Sequence, residues 1–205
     1  MKHLVEELIS SGYLKTPDII AAFQKIDRKD FVPDEYKDRA YVDAPLPIGF
    51  GQTISQPLTV AFMLELLRPK EGDKIMEAGS GSGWQTALLA RIVGEKGRVF
   101  AIEIIPELEK MGRRNVSKYD FVKSGIVEFH CFNAIGGLPE KAPFDGIIAA
   151  ASAEEIPEEW KKQLKEGGRL VMPIKDKIFA IEKKKGGGFE TESYPGFAFV
   201  PFVSK

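Results

Sequence analysis

Cysteine and histidine are scarce in this sequence of 205 residues, which contains one cysteine and two histidines. Cys131 has no second cysteine with which to form a disulfide, and its neighbours Phe129 and Phe132 predict a buried strand thiol rather than a nucleophile. His3 lies in a predicted helix and His130 in a predicted strand, where a hydrogen-bonded core histidine is commoner than a general base. Chemistry that requires a base therefore has few candidates, and we predict no metal site.

The sequence also has no excess of charge of one sign and no long apolar run. Its 29 Lys and Arg residues balance 30 Asp and Glu residues. No basic stripe can neutralise phosphates, so a nucleic-acid partner is disfavoured. No stretch approaches the roughly 18 to 20 apolar residues of a membrane span. We therefore expect a monomeric, cytoplasmic protein with no membrane partner.

A glycine loop stands between a strand-like and a helix-like segment. Residues 74–78 form a short apolar run, residues 77–83 read EAGSGSG, and residues 84–93 have helical apolar spacing. This order predicts a strand, a tight turn and a helix. Glycine permits sharp turns and close ligand approach, and the start of the helix offers free N–H groups. We therefore predict a site for an adenosine-containing ligand at Glu77, Gly79, Ser80, Gly81, Ser82 and Gly83.

An acidic residue after the next strand supports this site. Residues 98–102 form an apolar run that ends in Glu103, 20 residues after Gly83, which is the spacing at which an acid binds ribose hydroxyls. Each feature alone has an ordinary alternative, because a glycine turn can merely connect two elements and an acid can end a strand in solvent. Together they favour a ligand site. The ExGxGxG spacing resembles the signature of S-adenosylmethionine-dependent methyltransferases, which implies that cofactor and its product, S-adenosylhomocysteine.

The pattern of segments predicts an α/β fold with additions at both ends. Residues 71–205 alternate strand-like and helix-like segments, which is typical of a doubly wound, Rossmann-like methyltransferase sheet. The predicted strands are residues 74–78, 98–102, 126–131, 144–150 and 169–174, and the predicted helices are residues 84–93, 106–118 and 157–164.

Residues 1–70 are predicted to form an N-terminal helical cap that carries the substrate segment, within one compact unit overall. Thr16 and Pro17 are typical of a helix start. At the other end, residues 178–182 and 189–194 flank KKKGGG and predict a C-terminal antiparallel hairpin with a solvated lysine tip. Residues 197–203 predict a further strand.

The scarcity of histidine bears on the reaction. An amine or hydroxyl acceptor usually needs a base, whereas a carboxylate with a pKa near 4 is already ionised at pH 7. Catalysis then consists largely of positioning the carboxylate with hydroxyl and backbone N–H groups and excluding water. Residues 146–152 (GIIAAAS) also lack the DPPY-like or NPPY-like turn of amino-group methyltransferases. A carboxylate acceptor is therefore favoured.

Several blocks together resemble the protein-L-isoaspartate O-methyltransferase family. They are FVP at residues 31–33, the aspartate and prolines of YVDAPLPIG, GQTISQP, EAGSGSGWQTALLA and QLKEGGRLVMPI, and they extend over nearly the whole chain. The resemblance implies methylation of the free α-carboxylate of L-isoaspartyl and D-aspartyl residues in damaged proteins, which starts their repair through a succinimide.

The same resemblance implies roles for particular residues. Ser55 would be the catalytic serine of the TIS turn, and Thr53 and Ile54 would line the substrate site with it. The segment GFAFVPF, which contains Val200, is similar to the family's terminal strand that pairs with extended peptide backbone. The local sequence leaves an alternative for Ser55, because a serine before Gln-Pro is also a typical helix N-cap.

Five residues, at three places in the chain, depart from the family pattern. Phe132, Asn133 and Ala134 stand where the family usually has Gly, Asp and Gly around adenine, and Asn133 can still accept a bond from the adenine amino group. Lys175 replaces a common glycine, and Ala198 a common arginine. These departures keep two alternatives open, namely a methyltransferase acting on another carboxylate and a non-catalytic relative that binds altered proteins.

Overall fold

The structure is a computed structural model and describes residues 1–202. Its helices are α1 (Lys2–Ser10), α2 (Pro17–Lys25), α3 (Pro57–Leu67), α4 (Trp84–Val93), α5 (Pro106–Ser117) and α6 (Glu158–Gln163). Its strands are β1 (Leu46–Gly49), β2 (Gln52–Ile54), β3 (Lys74–Ala78), β4 (Arg98–Glu103), β5 (Val127–Cys131), β6 (Phe144–Ala149), β7 (Leu164–Ile174), β8 (Lys177–Lys184) and β9 (Gly188–Pro195).

Seven strands form one mainly parallel sheet in the order β5-β4-β3-β6-β7-β8-β9. Strands β3 to β7 pair in parallel, and β8 and β9 add an antiparallel hairpin at one edge. The chain turns to one side after β3 and returns to its other side with β6, so the order reverses at β3. Ligands of open α/β sheets bind at the carboxyl ends of the strands beside such a reversal. The predicted fold class and C-terminal hairpin are confirmed.

The N-terminal helices pack on the face of the sheet that carries α4. Their buried apolar residues belong to one hydrophobic cluster with residues of α4, α5 and the strands. Phe23 of α2 meets the ring of Trp84 edge-on, with 5.5 Å between ring centroids. The cluster therefore fixes the segment between α2 and α3 against the start of α4.

Helix α2 begins at Pro17 with Thr16 in the N-cap position, as predicted, although the Thr16 hydroxyl donates to Glu65 Oε2 at 2.7 Å instead of bonding to a helix N–H. Local sequence signals were wrong at two other places. Cys131, predicted to be buried, is exposed at the end of β5. Lys183 is not a solvated hairpin tip, because its ammonium donates to the carbonyls of Lys161 and Leu164. Each error arises because the deciding contact or exposure is set by residues distant in sequence.

The predicted last strand is also only partly present. Residues 197–202 contain a single parallel bridge, between Pro201 and Ser152, and Val203 lies outside the described residues. Ser152 N–H donates to Val200 C=O at 2.8 Å, and Phe202 N–H donates to Ser152 C=O at 2.7 Å. The segment is extended and attached beyond the end of β6, but it is not a full strand.

None of the helices within residues 1–202 combines the length and the apolar character needed to cross a membrane.

Candidate active site

The glycine loop connects β3 to α4 in a conformation that requires glycine. Gly79, Gly81 and Gly83 have φ angles of +81°, +51° and +86°, a region that side chains other than glycine rarely adopt. The loop is held from β4, where Ile102 C=O accepts bonds from Gly79 N–H at 2.8 Å and Ser80 N–H at 3.2 Å. Its predicted turn is therefore confirmed as a geometric feature.

Glu103 lies at the carboxyl end of β4, directly beside this loop. Its Oε2 accepts from Gly81 N–H at 2.9 Å, and its Oε1 accepts from Ile104 N–H at 2.8 Å and Ile105 N–H at 3.0 Å. The structure thus brings together the two sequence features that predicted the ligand site. Each carboxylate oxygen has more than one lone pair, so these bonds leave acceptor capacity for a ligand hydroxyl.

A cleft, called the cofactor cleft, opens over the loop and the end of β4. Its wall contains Gly79, Gly81, Glu103, Phe132 and Ala134, and on the outer side Thr53 and Val200. Asn133 is not among the lining residues. Its side chain caps the 3₁₀ turn at Ala134–Gly136, where its Oδ1 accepts from Ile135 N–H at 3.0 Å. The structure therefore places its two neighbours, and not its own side chain, on this wall.

Glu77 lies beneath the loop, in the sheet, and is fully buried. Its Oε1 accepts from Gln85 Nε2 at 3.0 Å and its Oε2 accepts from Thr86 Oγ1, so neutral groups of α4 satisfy both oxygens. Burial raises the pKa of the Glu77 carboxyl to about 7, the charge of Glu103 adds to this, and the two hydrogen bonds oppose it. The carboxyl is therefore partly protonated near neutral pH.

A small space, called the inner cavity, separates Glu77 and the loop from Ser55. Ser80, Ser82, Trp84, Thr53 and Ala150 also line it. Two of these residues keep a buried polar atom without a hydrogen-bond partner within the described chain, Ser80 Oγ and Trp84 Nε1. Buried polar atoms are rarely left unpaired, and both of these atoms belong to residues that line the inner cavity.

Ser55 follows a short hairpin formed by β1 and β2, and it is half-buried. It is not the helix cap that the sequence left as an alternative. Helix α3 begins at Pro57, and Asp43 Oδ1 accepts from Leu58 N–H at 2.8 Å. The Ser55 hydroxyl makes no hydrogen bond to any residue in the described part of the chain, so it is available to a ligand.

A wide cleft, called the substrate cleft, lies on the other side of Ser55. It is lined by Thr53, Ser55, α3 residues including Phe62, and the segment at residues 194–200. Thr53 and Ala150 line all three spaces, Ser55 lines the inner cavity and the substrate cleft, and Val200 lines both clefts. Ile54 is buried and lines only the inner cavity.

Sequence reasoning missed four residues that build this site: Arg28, Asp43, Gln85 and Thr86. Gln85 and Thr86 follow the glycine loop, so their place on the first turn of α4 could have indicated contact with Glu77. Asp43 was recognised only as part of a family block. Arg28 lies in a polar segment of the sequence, and no local pattern distinguishes it from a surface arginine.

Comparison with known proteins agrees with this geometry. The sequence profile of the family "Protein-L-isoaspartate(D-aspartate) O-methyltransferase (PCMT)" matches residues 1–205. The chain belongs to this family.

Named family members from archaea are similar over the whole length. The protein-L-isoaspartate O-methyltransferase of Methanopyrus kandleri is 41% identical over 208 residues, covering 100% of this chain and 91% of the relative. That of Pyrococcus horikoshii is 41% identical over 211 residues, covering 100% and 93%.

Two solved structures have the same architecture. A protein-L-isoaspartate O-methyltransferase matches with a TM-score of 0.88 and 29% identity, covering 99% of this chain and 66% of that longer chain. A Plasmodium falciparum protein described as a candidate of the same family, in complex with S-adenosyl-L-homocysteine, matches with a TM-score of 0.87 and 26% identity, covering 98% and 97%. The predicted family, fold, enzyme class and cofactor are thereby confirmed.

The residues of this protein-L-isoaspartate O-methyltransferase family member fit the cofactor. Gly79 and Gly81 line the cofactor cleft without a side chain, and their positive φ angles hold the loop in a turn that other residues rarely adopt. Ser80, with its unpaired Oγ, and Trp84, with its unpaired Nε1, both belong to the wall of the inner cavity beside the loop. Among residues 1–202, no group of three or more His, Cys, Asp and Glu side chains is arranged to hold a metal ion.

We expect Glu77→Gln to change how the stability of the ligand-free protein depends on pH. The folded pKa of about 7 lies above the ordinary value of 4.5, so the folded state binds the extra proton and wild-type stability falls as pH rises from about 4.5 through 7. The stabilisation lost is of order 3 kcal/mol. Glutamine can accept from Gln85 and bond to Thr86 but does not titrate.

Urea unfolding at several pH values between 5 and 8 checks this expectation. The unfolding free energy of Glu77→Gln minus that of wild type should become more positive as pH increases, because only wild type loses stability through the ionisation of residue 77. Other titrating groups, such as Asp73, are common to both proteins and cancel in the difference. A difference that stays constant across this range would contradict the raised pKa.

Proposed function

We propose that this chain transfers a methyl group from S-adenosylmethionine to the free α-carboxylate of L-isoaspartyl and D-aspartyl residues in damaged proteins. The observation that carries the proposal is the shared wall at Thr53, Ala150 and Ser55. This wall joins the spaces on the glycine-loop side to a wide cleft that can admit a peptide.

The cofactor side is assigned from the glycine loop outwards. When bound, S-adenosylmethionine supplies an electrophilic methyl group to the acceptor oxygen. The backbone and hydroxyls of residues 79–83 would hold its methionine part above Glu77, and Glu103 would accept from the ribose hydroxyls. Asn133 would contribute at adenine, although its side chain also caps the following turn.

On the substrate side, Ser55 would donate its hydroxyl hydrogen to the acceptor carboxylate, with Thr53 and Ile54 forming the adjoining wall. No histidine, lysine or arginine is among the described residues that line the three spaces. This agrees with an acceptor that is already ionised at neutral pH and needs no base. The task of the protein is then to position the carboxylate and exclude water.

The segment at residues 196–200 would support the peptide on either side of the altered residue. Phe197 is fixed by stacking on Phe62, with 5.2 Å between ring centroids, while Ala198 is exposed. Val200 is held by the bond from Ser152 N–H to its carbonyl. An extended backbone in this position could recognise peptide without requiring a particular side chain.

The test is radiolabelled methyl transfer from S-adenosylmethionine to two versions of one peptide, containing either isoaspartate or aspartate. We expect labelling of the isoaspartyl peptide alone. Labelling of both peptides, or of another carboxylate only, would favour a different acceptor. Absence of labelling together with absence of S-adenosylhomocysteine binding in calorimetry would favour a non-catalytic binding protein. A monomeric state, a cytoplasmic location and the absence of nucleic-acid and membrane partners stay predictions.

A further inference from the structure

Arg28 is a fully buried arginine whose hydrogen-bond partners are all backbone carbonyls. Its Nη1 donates to Ala40 C=O at 2.8 Å and Val42 C=O at 3.2 Å, and its Nη2 donates to Ala44 C=O at 2.9 Å and Ser55 C=O at 3.0 Å. It makes no salt bridge with any residue from 1 to 202. Because a buried charge without a close counter-ion is costly, this arrangement calls for a reason.

The charge of Arg28 nevertheless persists at neutral pH. Burial lowers the pKa of its guanidinium to about 10, and the negative charge of Asp43 partly opposes this shift. A planar cation with several N–H donors in fixed directions can reach four carbonyls at once, which the single ammonium of lysine cannot do in the same geometry.

The carbonyls bound by Arg28 belong to Ser55 itself and to the loop that packs beside it. Ala40, Val42 and Ala44 belong to the loop that contains Asp43. The Asp43 carboxylate in turn accepts from Leu58 N–H at 2.8 Å and Gln56 Nε2 at 3.0 Å. One guanidinium therefore fixes Ser55 directly, through its carbonyl, and fixes the residues that follow it through Asp43.

Arg28 also contacts the helix that follows the glycine loop. Its guanidinium carbon lies 5.3 Å from the centroid of the Trp84 ring, within the range of a cation–π interaction. Trp84 is the first residue of α4, immediately after Gly83. The same side chain thus contacts both the substrate segment and the helix that begins at the cofactor loop.

We propose that Arg28 is a positioning residue for methyl transfer, which holds the Ser55 hydroxyl at a fixed place relative to the glycine loop. The inference rests on the role proposed above for Ser55. Reactions that depend on placement are sensitive to small displacements, and an error of about 1 Å can lower the rate about 100-fold.

The test compares Arg28→Lys, which keeps the charge but loses the planar fork, with wild type. We expect kcat with the isoaspartyl peptide to fall by roughly 10- to 100-fold, while the S-adenosylhomocysteine Kd changes by less than about threefold. Circular dichroism and a melting curve establish that the variant is folded at the assay temperature. An unchanged kcat in the folded variant would overturn the proposal.

A double-variant cycle separates positioning from a general structural effect. If Arg28 acts through the Ser55 hydroxyl, Arg28→Lys should cause little further loss in a Ser55→Ala background, because the group it positions is already absent. Equal losses in the two backgrounds would overturn the proposal. Should Arg28→Lys not fold, Asp43→Asn tests the same network by the same comparison, with the same two outcomes.

These measurements also distinguish an error in the proposed role of Arg28 from an error in the proposed function. Wild type that does not methylate the isoaspartyl peptide would contradict the function itself. Wild type that is active and sensitive to Ser55→Ala, with an Arg28→Lys variant that behaves as wild type, would contradict the role of Arg28 alone.

Discussion

Ser55→Ala is expected to lower kcat/KM for an isoaspartyl peptide by about 100-fold, because the hydroxyl that orients the acceptor carboxylate is lost and a displacement of about 1 Å of a reacting group can cost about 100-fold in rate. The Ser55 hydroxyl has no hydrogen-bond partner within residues 1–202 and lies between the inner cavity and the substrate cleft. Steady-state rates with wild type and variant, together with calorimetric binding of S-adenosylhomocysteine, measure this effect.

Stability should change little in the same variant. The hydroxyl makes no bond in the described chain that would be lost, and Asp43, not Ser55, satisfies the N–H of Leu58 at the start of α3. We therefore expect a change of about 0.5 kcal/mol or less in the unfolding free energy. A large loss of stability would mean that Ser55 has a structural role instead.

Ser117→Ala is the matched control. That serine is exposed on α5, and its hydroxyl donates to Arg113 C=O at 2.7 Å, away from the three spaces. Its rate should equal that of wild type. If Ser55→Ala retained the wild-type rate as well, methyl transfer would not depend on the Ser55 hydroxyl.

The features that the sequence predicted well are those set by neighbouring residues. The glycine loop is one example, because the positive φ angles of Gly79, Gly81 and Gly83 depend on glycine at those positions. Glu103 is another. Strands β3 and β4 are adjacent and parallel, so the end of β4, where Glu103 lies, is beside the loop that follows β3. The alternation of strands and helices predicted the sheet for the same reason.

Prediction from the sequence was incomplete where a distant residue competes for a local partner. The Ser-Gln-Pro pattern is compatible with a serine cap, but the carboxylate of Asp43, 15 residues before Leu58, accepts the bond from the helix N–H instead. Arg28 looks like a surface residue until the loop at residues 40–44 and Ser55 fold around it. Such contacts depend on the tertiary fold, which no window of neighbouring residues contains.

The C-terminal segment shows a different limit. An apolar run is compatible with a strand, but it is equally compatible with a segment held by its side chains. Phe197 stacks on Phe62, and Phe202 meets Trp160 with 6.1 Å between ring centroids. These aromatic contacts and two backbone bonds to Ser152 fix the segment, so ladder pairing is unnecessary. The distinction requires knowledge of the surfaces on which it packs.

Gly83→Ala is expected to disrupt both stability and cofactor binding. Gly83 has a φ of +86°, and an added Cβ would lie 2.8 Å from Val116 Cγ2 and 2.9 Å from the carbonyl oxygen of Gly112. The left-handed conformation costs about 1 to 2 kcal/mol for alanine, and forcing apart well-packed groups costs about 1 to 3 kcal/mol more. We expect a loss of about 2 to 5 kcal/mol on unfolding by urea.

The same substitution should weaken S-adenosylhomocysteine binding at least about tenfold. Helix α5 and the glycine loop are in close contact at Gly83, so a shift of the helix also displaces the loop. A Cβ on Gly112 would likewise lie 2.8 Å from Gly81 C=O, and Asn115 Nδ2 donates to Ser82 C=O at 3.0 Å. Displacement of α5 by the new methyl group therefore moves the carbonyls of the loop residues that are proposed to hold the cofactor.

Gly188→Ala is the matched control, since its φ lies outside the positive region and no atom within the described chain lies within 4 Å of the added Cβ. Equal stability and equal affinity in the two variants would show that the loop tolerates separation from α5, and the close approach of loop and helix would then not be what shapes the cofactor site.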